Sequence, residues 1–303
     1  MNSANVVSVE LQGGIGNQMF QYAAGHALAH RTGAVLRLNL SRFTHIDKLR
    51  SYELACYRLP APAAEEPLPG AYRGLAHALM VKASQRLGLS TRALHGGWQV
   101  YVQPGFHFDR AFDTLTPPVS LVGYFQSEAF FRPVADNIRK LFTIRVPTSP
   151  AFEAIRTQIA AAEWPVSIHV RRGDYVSDPT TLAVHGICDE SYYGPATSLA
   201  ERLCDTEPTW FVFSDDPARA REVLGPLRHA VHLTGDVARP WEDIALMAAC
   251  RGHVIANSSF SWWGAWLDPR PDKWVIAPQR WFALEHLRKV STADILPSGW
   301  IGL

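Results

Sequence analysis

Hydrophobic and polar positions follow two alternating periods along this chain. Short, almost unbroken apolar runs read as strands covered on both faces, and longer stretches with apolar residues at helical spacing read as helices. Val6 to Leu11 is the first run. Met19, Phe20, Ala23, Ala24, Ala27 and Leu28 then recur on one helical face from Asn17 to about Arg31. Gly33 stops that helix, and Ala34 to Leu40 returns as a strand. The opening therefore predicts one βαβ unit. Strands are expected at WQVYV (98–102) and SLVGYF (120–125), with a helix near Val134 to Phe142. From about Pro60 to Gly97 the chain opens on the proline-rich LPAPAAEEPLPG and continues as a basic, weakly amphipathic stretch that predicts no particular element.

The second half alternates more cleanly. Helices are expected from Phe152 to Glu163, around Ser191 to Leu203, after SDDP (214–217), at WEDIALMAAC (241–250) and briefly from near Ser261. The strands SIHV (167–170), TWFVF (209–213), AVHL (230–233), HVIA (253–256) and KWVIA (273–277) separate them. Alternation in both halves without an internal repeat predicts an α/β fold of two Rossmann-like domains facing each other across a cleft. The proline-flanked VPTSP divides them into residues 1–148 and 149–303. In such sheets ligands lie outside the carboxyl ends of the strands.

Composition narrows the picture. At 303 residues the chain is beyond the size where one core stops growing, which favours two domains. A hydrophobic content of 47%, a charged content of 19% and a net charge of +1 suit a globular protein with no general attraction for nucleic acid or anionic membrane, so any anion must meet a local site. The four cysteines (56, 188, 204 and 250) form no C-x-x-C pair or zinc spacing, which predicts reduced thiols in a cytosol. Neither a leader peptide nor a membrane-spanning run is expected.

Four stretches carry candidate chemistry. In SIHVRRGDY, strand alternation sets His169 and Arg171 on one side and Val170 and Arg172 on the other. One guanidinium is matched to a diphosphate, and the other can pair with Asp174 across the turn that Gly173 permits; a plain surface turn is the competing reading. In GGIGNQ, Gly14 and Gly16 let a ligand approach the backbone beside Asn17 and Gln18 at a helix start, or they form only a tight turn capped by Asn17. In FVFSDDP, Ser214 or Asp215 caps a helix, or Asp215 accepts two hydrogen bonds from guanine. In IANSSFSWWGAWL, Ser258 and Ser259 precede a helix N-terminus suited to an anion, while Trp262, Trp263 and Trp266 read as core more readily than as a sugar platform.

In this order, GGIGNQMFQYA, HVRRGDYV, FVFSDDP and NSSFSWWGAWL resemble the motifs of the alpha-1,2-fucosyltransferases, family 11 of the glycosyltransferases. The resemblance implies a GT-B fold whose N-terminal domain lies on the acceptor side and whose C-terminal domain binds GDP-L-fucose. It also implies a β-galactoside-terminated oligosaccharide or glycolipid as acceptor, inversion at the fucose anomeric carbon, and no cofactor or metal. The last agrees with the lack of a D-x-D sequence. His169, Arg171, Arg172, Asp174 and Tyr175 meet the family pattern H-x-R-R-x-D-Y in full. The resemblance implies that Arg171 grips the β-phosphate and that Asp215 contacts guanine. It places Gly14, Gly16, Asn17, Gln18, His169, Arg172, Ser258, Ser259 and Phe260 around the nucleotide-sugar. Asp174 is the nominee for general base, or it only orients Arg172. Transfer in another linkage such as alpha-1,6, and a non-catalytic nucleotide-sugar or glycan-binding module, are the alternatives. The expected location is the cytoplasm, with peripheral association at the inner membrane open.

Overall fold

The apolar run at the start of the chain forms β1 (Val6–Glu10), and all five of its residues are buried, as a strand is when both faces of a parallel sheet are covered. The computed structural model describes residues 5–45, 50–61, 63–64, 91–95, 97–171, 186–234, 236, 238–283 and 291–303. The chain divides into two units, Met1–Arg145 with Lys289–Ile295, and Val146–Arg288 with Leu296–Leu303.

In the first unit β1 is followed by α1 (Ile15–Thr32), β2 (Val35–Asn39), α2 (Ser41–His45), β3 (Ala63–Ala64), β4 (Thr91–His95), β5 (Trp98–Val102), β6 (Val119–Val122) and α3 (Ala135–Leu141). The strand order is β3-β2-β1-β6-β5-β4. All neighbours run parallel except β4, which is antiparallel to β5. Helix α1 lies close on this sheet at Gly25, where an added Cβ would come within 2.8 Å of Leu36 Cδ1. Gly33 ends the helix in the left-handed conformation, its N–H donating to Ala29 O.

The first unit departs from the expected pattern at two places. Helix α1 starts at Ile15 with Gly14 as its N-cap, so Asn17 lies inside the first turn and its backbone N–H donates to Gly14 O at 2.9 Å. Asn17 is therefore not the cap. The strand expected to run through Phe125 ends at Val122, because the buried Gln103 side chain takes the backbone donors Tyr124 N–H and Phe125 N–H, at 3.0 and 2.8 Å. Most of the stretch 60–97 lies outside the described residues.

The second unit contains α4 (Pro150–Ala161), β7 (Pro165–Val170), α5 (Glu190–Leu203), β8 (Thr209–Ser214), α6 (Pro217–Leu224), β9 (Ala230–Thr234), α7 (Pro240–Ala249), β10 (Gly252–Val254), α8 (Ser259–Leu267), β11 (Trp274–Ala277) and β12 (Ile301–Gly302). Its sheet order is β12-β11-β10-β7-β8-β9, parallel throughout. Val166, Ile168 and Val170 pack with Tyr192, Tyr193, Ala196 and Ala200 of α5. This leaves Ser167 and His169 for the opposite face. Trp262, Trp263 and Trp266 are all buried, their rings 5.1 to 5.9 Å apart, so the tryptophans of α8 are core.

Beneath α8 sits a wholly buried polar chain. Asp268 Oδ2 lies 3.1 Å from His253 Nε2, and His253 Nδ1 lies 2.9 Å from Ser167 Oγ. A carboxylate only accepts, so the imidazole proton is on Nε2 and Nδ1 accepts from the serine hydroxyl. Arg270 donates to Asp268 Oδ1 through its backbone N–H at 3.0 Å and its side-chain Nε at 2.7 Å. The composition is that of a nucleophilic triad, but the exposures of Ser167, His253 and Asp268 are 2, 0 and 0%, so the chain pins β7, β10 and the end of α8 together and meets no substrate.

Candidate functional site

Three of the four sequence motifs converge at the carboxyl edge of the second sheet. The order places β10 and β8 on either side of β7. The chain winds outward from β7 through β8 and β9 on one side and continues through β10 and β11 on the other. The switch point therefore lies between β7 and β10, the place where open α/β sheets bind their ligands. His169 and Arg171 stand at the end of β7, Asp215 directly follows β8, and Ser258, Ser259 and Phe260 open α8 after β10.

Local bonds fix each group. The Tyr193 hydroxyl donates to His169 O at 2.8 Å, and the Ser214 hydroxyl donates to Val170 O at 2.8 Å, so the last turn of backbone before Arg171 is held from α5 and from β8. The His169 ring lies 5.5 Å from that of Phe260, centre to centre, which joins the β7 motif to the α8 motif. Burial, with the Arg171 charge adding to it, pushes the His169 imidazole down to about 3, so the ring is neutral at physiological pH. Arg171 Nε lies 3.4 Å from Asp215 Oδ2. The helix cap is neither Ser214 nor Asp215: Asp216 Oδ1 accepts from Arg219 N–H at 3.0 Å, and the Ser214 hydroxyl accepts from Asp216 N–H. With Asp216 as the cap, the Asp215 carboxylate faces Arg171. Ser258 caps α8, its hydroxyl accepting from Phe260 N–H at 3.3 Å, and Ser259 and Phe260 are half-buried.

The first unit repeats the arrangement with different chemistry. Its order reverses between β1 and β6; the turn and first helical residues after β1 carry Gly13 to Gln18, and the loop after β6 carries Gly123 to Ser127. Gly13 has φ +73°, and an added Cβ there would sit 2.6 Å from Asn17 Nδ2, so only glycine lets the Asn17 amide lie against this turn. Gly14 is the N-cap of α1 and Gly16 lies in its first turn, with Arg50 Nη1 3.7 Å from where a Gly14 Cβ would be. The Gln126 amide donates to Asn17 Oδ1 at 2.7 Å. Gln18 is buried and its amide is committed within the protein: Nε2 donates to Gly13 O and Ser51 O, each at 2.8 Å, and Oε1 accepts from Glu53 N–H at 2.9 Å. Its role in the structure is to fasten the glycine turn to the segment at 51–53.

Arg172, Gly173, Asp174 and Tyr175 lie outside the described residues. Sequence reasoning passed over two groups. Gln126 is an uncharged amide just past an apparent strand, and only Gly123 signals a turn there. Asp243 is partly buried in the first turn of α7, which follows β9 at the same edge. Burial, then Glu242 and Asp236, raise its carboxyl to about 7. Its neighbour Glu242 accepts from the backbone and the hydroxyl of Ser149 at 2.8 and 2.7 Å. Among the described residues no three His, Cys, Asp or Glu side chains gather as a metal site, and no helix is long and apolar enough to cross a membrane.

The model of glycosyl transferase family 11 matches residues 111–303, more than half the chain and three of the four motifs. The chain belongs to that family. The remaining motif, at Gly13 to Ala23, falls within the span shared with relatives. An alpha-1,2-colitosyltransferase of Escherichia coli is 28% identical over 98% of both chains. Galactoside alpha-(1,2)-fucosyltransferase 2 of Oryctolagus cuniculus is 25% identical over 98% of this family 11 chain and 76% of its own length. Among solved structures, the NodZ alpha-1,6-fucosyltransferase soaked with GDP-fucose is similar with a TM-score of 0.55 at 13% identity, covering 93% of this chain and 96% of that one. At such identity the likeness shows the fold, an α/β architecture of GT-B type.

Proposed function

We propose that this family 11 glycosyltransferase transfers L-fucose from GDP-fucose to the 2-hydroxyl of a terminal β-galactoside, with inversion and without a metal ion. The observation that carries the reading is the convergence of His169, Arg171, Asp215 and the start of α8 at the carboxyl ends of the adjacent strands β7, β8 and β10. The alpha-1,2 names of the relatives support the linkage, and GDP-fucose in the NodZ crystals supports the donor.

In the transfer the acceptor 2-hydroxyl oxygen attacks the fucose anomeric carbon from the face opposite the phosphate. The bond from that carbon to the β-phosphate oxygen breaks, and both its electrons leave with GDP. Negative charge therefore grows on the diphosphate, and in this reading the Arg171 guanidinium and the N–H groups at the start of α8 neutralise it. Before that, Asp215 holds the guanidinium at the strand end; the family resemblance gives the same acid a guanine contact, and the two roles separate experimentally. The acceptor proton goes to a carboxylate base, for which Asp174 remains the nominee.

The deciding experiment offers GDP-fucose with a panel of β-galactosides, follows GDP release and determines the product linkage by NMR. An alpha-1,2-linked fucoside is expected. An alpha-1,6 product overturns the linkage, and saturable GDP-fucose binding without turnover on any acceptor overturns the enzymatic reading. A second reading, favoured by the colitosyltransferase relative, keeps the linkage and changes the transferred sugar. Direct competition between GDP-fucose and GDP-colitose decides between them by the ratio of kcat/KM.

A further inference from the structure

The turn after β6 is built to hold one side chain. Phe125 is fully buried with φ +53°, a left-handed conformation that a bulky residue adopts only when its surroundings impose it. Gln103 imposes it by accepting from the N–H groups of both Tyr124 and Phe125, and Ser127 N–H closes the turn on Phe125 O at 2.7 Å. Gly123 is needed because a Cβ there would lie 2.6 Å from Gln103 Cβ. The residue this turn presents is Gln126, at the point where the order of the first sheet reverses.

Gln126 is only 7% exposed. One side of its amide is used, Nε2 donating to Asn17 Oδ1 at 2.7 Å. The other side is not: Oε1 is buried and accepts no hydrogen bond among the described residues. A buried amide carbonyl without a donor is costly; other buried side-chain atoms among the described residues also lack a partner, Gln103 Nε2 of the same turn included, and Gln126 Oε1 is the one carried on the loop where the order of the first sheet reverses. With Oε1 as the open atom, the group that fits it is a donor such as a sugar hydroxyl.

From this we infer that Gln126 is a sugar-binding residue. Its Oε1 accepts a hydrogen bond from a hydroxyl of the transferred or the accepting sugar, while its Nε2 fixes Asn17 so that the Asn17 Nδ2 lies over the Cβ-free backbone of Gly13. The inference rests on the glycosyl transfer proposed above and adds to it a specificity determinant in the N-terminal unit.

The test uses the full chain with Gln126→Leu, and with Gln126→Met as the variant of closest shape should the first fail to fold. Calorimetry with GDP and with GDP-fucose, and steady-state constants for both substrates, are compared with the wild type. GDP affinity is expected to stay within about two-fold, because GDP carries no fucose hydroxyl, while kcat/KM for transfer falls by roughly ten- to a hundred-fold. Loss of GDP-fucose affinity identifies the transferred sugar as the source of the hydroxyl; a rise confined to the acceptor KM identifies the acceptor. Gln126→Glu, which keeps an acceptor oxygen, is expected to return part of the lost specificity.

Equal losses for GDP and GDP-fucose would show a scaffold role and overturn the inference, as would a folded variant with both substrates' constants within about two-fold of the wild type. A wild-type protein that turns over no GDP-fucose overturns the proposed function instead. The comparison of GDP with the sugar nucleotide that does bind still decides the part played by Gln126.

Discussion

The carboxyl edges of the two sheets carry different chemistry. In the second unit the switch point between β7 and β10 is lined by an arginine, an aspartate, a neutral histidine and a helix N-terminus. In the first, between β1 and β6, the groups brought together are glycine backbone and two amides, Asn17 and Gln126, with Arg50 at the margin. Charges suit a diphosphate, whose recognition is electrostatic and tolerant of small displacement; amides suit sugar hydroxyls, whose recognition depends on direction. The difference teaches that one α/β framework, used in both units, can present a charged edge in one and a directional, amide-lined edge in the other.

Removing charge from the second edge should have the largest effect. Arg171→Ala is expected to lower turnover by about 10²–10³, the loss typical of one preorganised donor to a developing oxyanion. Arg171→Lys should restore only part of it, since the charge remains and the fork does not. Single-turnover rates with GDP-fucose check this; near-normal rates for Arg171→Ala would break the comparison at its centre.

Acid stability sharpens it next. His169 is held neutral with its ionisation pushed from 6.5 down to about 3, so its contribution to stability is present above pH 6.5 and is lost as pH falls toward 3. Asp243 is raised from 3.8 to about 7, so its contribution is complete below the unfolded value and is lost as pH rises through 7. The two slopes oppose each other between about pH 4 and 6.5, each at most about 1.4 kcal/mol per pH unit. Relative to the wild type, His169→Gln should therefore lose less stability on acidification over that window, and Asp243→Asn should lose more. Urea unfolding at several pH values measures both, and equal slopes in all three proteins would refute the assignment.

Adjacent acids provide a smaller contrast. Asp216→Ala removes the cap of α6 and should cost about 1 kcal/mol of stability with normal activity in the folded fraction. Asp215→Asn should leave stability nearly unchanged but weaken GDP binding by roughly two- to ten-fold. The Arg171 and Asp215 side chains are 24 and 32% exposed, so solvent screens their pair. If Asp215 acts through Arg171, the affinity ratio of GDP to inosine diphosphate stays constant; if it reads guanine, the ratio falls, because inosine lacks the exocyclic amino donor. The smallest expected effect is that of EDTA, which should change the transfer rate by less than about two-fold. A loss restored by Mg²⁺ or Mn²⁺ would replace the arginine-based account of leaving-group charge with a metal-based one.

The pattern of apolar positions determined the α/β class, and it placed the strands that carry His169, Asp215 and Ser258 to within a residue or two. Strands buried on both faces and helices with a buried face are local periodicities, and the motifs sit where those periodicities stop. The motif set also marked the family. What the local pattern could not decide was set by partners distant in sequence. Tyr124 and Phe125 have strand-forming side chains, yet Gln103, about twenty residues earlier, takes their N–H groups and turns the chain out of the sheet. Asp215 and Asp216 are the same residue type at adjacent positions, and only the path from β8 into α6 makes one a cap and turns the other toward Arg171. The two-residue strand β12 is too short to show a period and exists because β11 offers it a free edge. Gln126 meets Asn17 across 109 positions of chain. Periodicity records which face of an element is buried; the identity of the group on the other side of that face is a property of the folded chain alone, because it depends on which loops the strand order brings together.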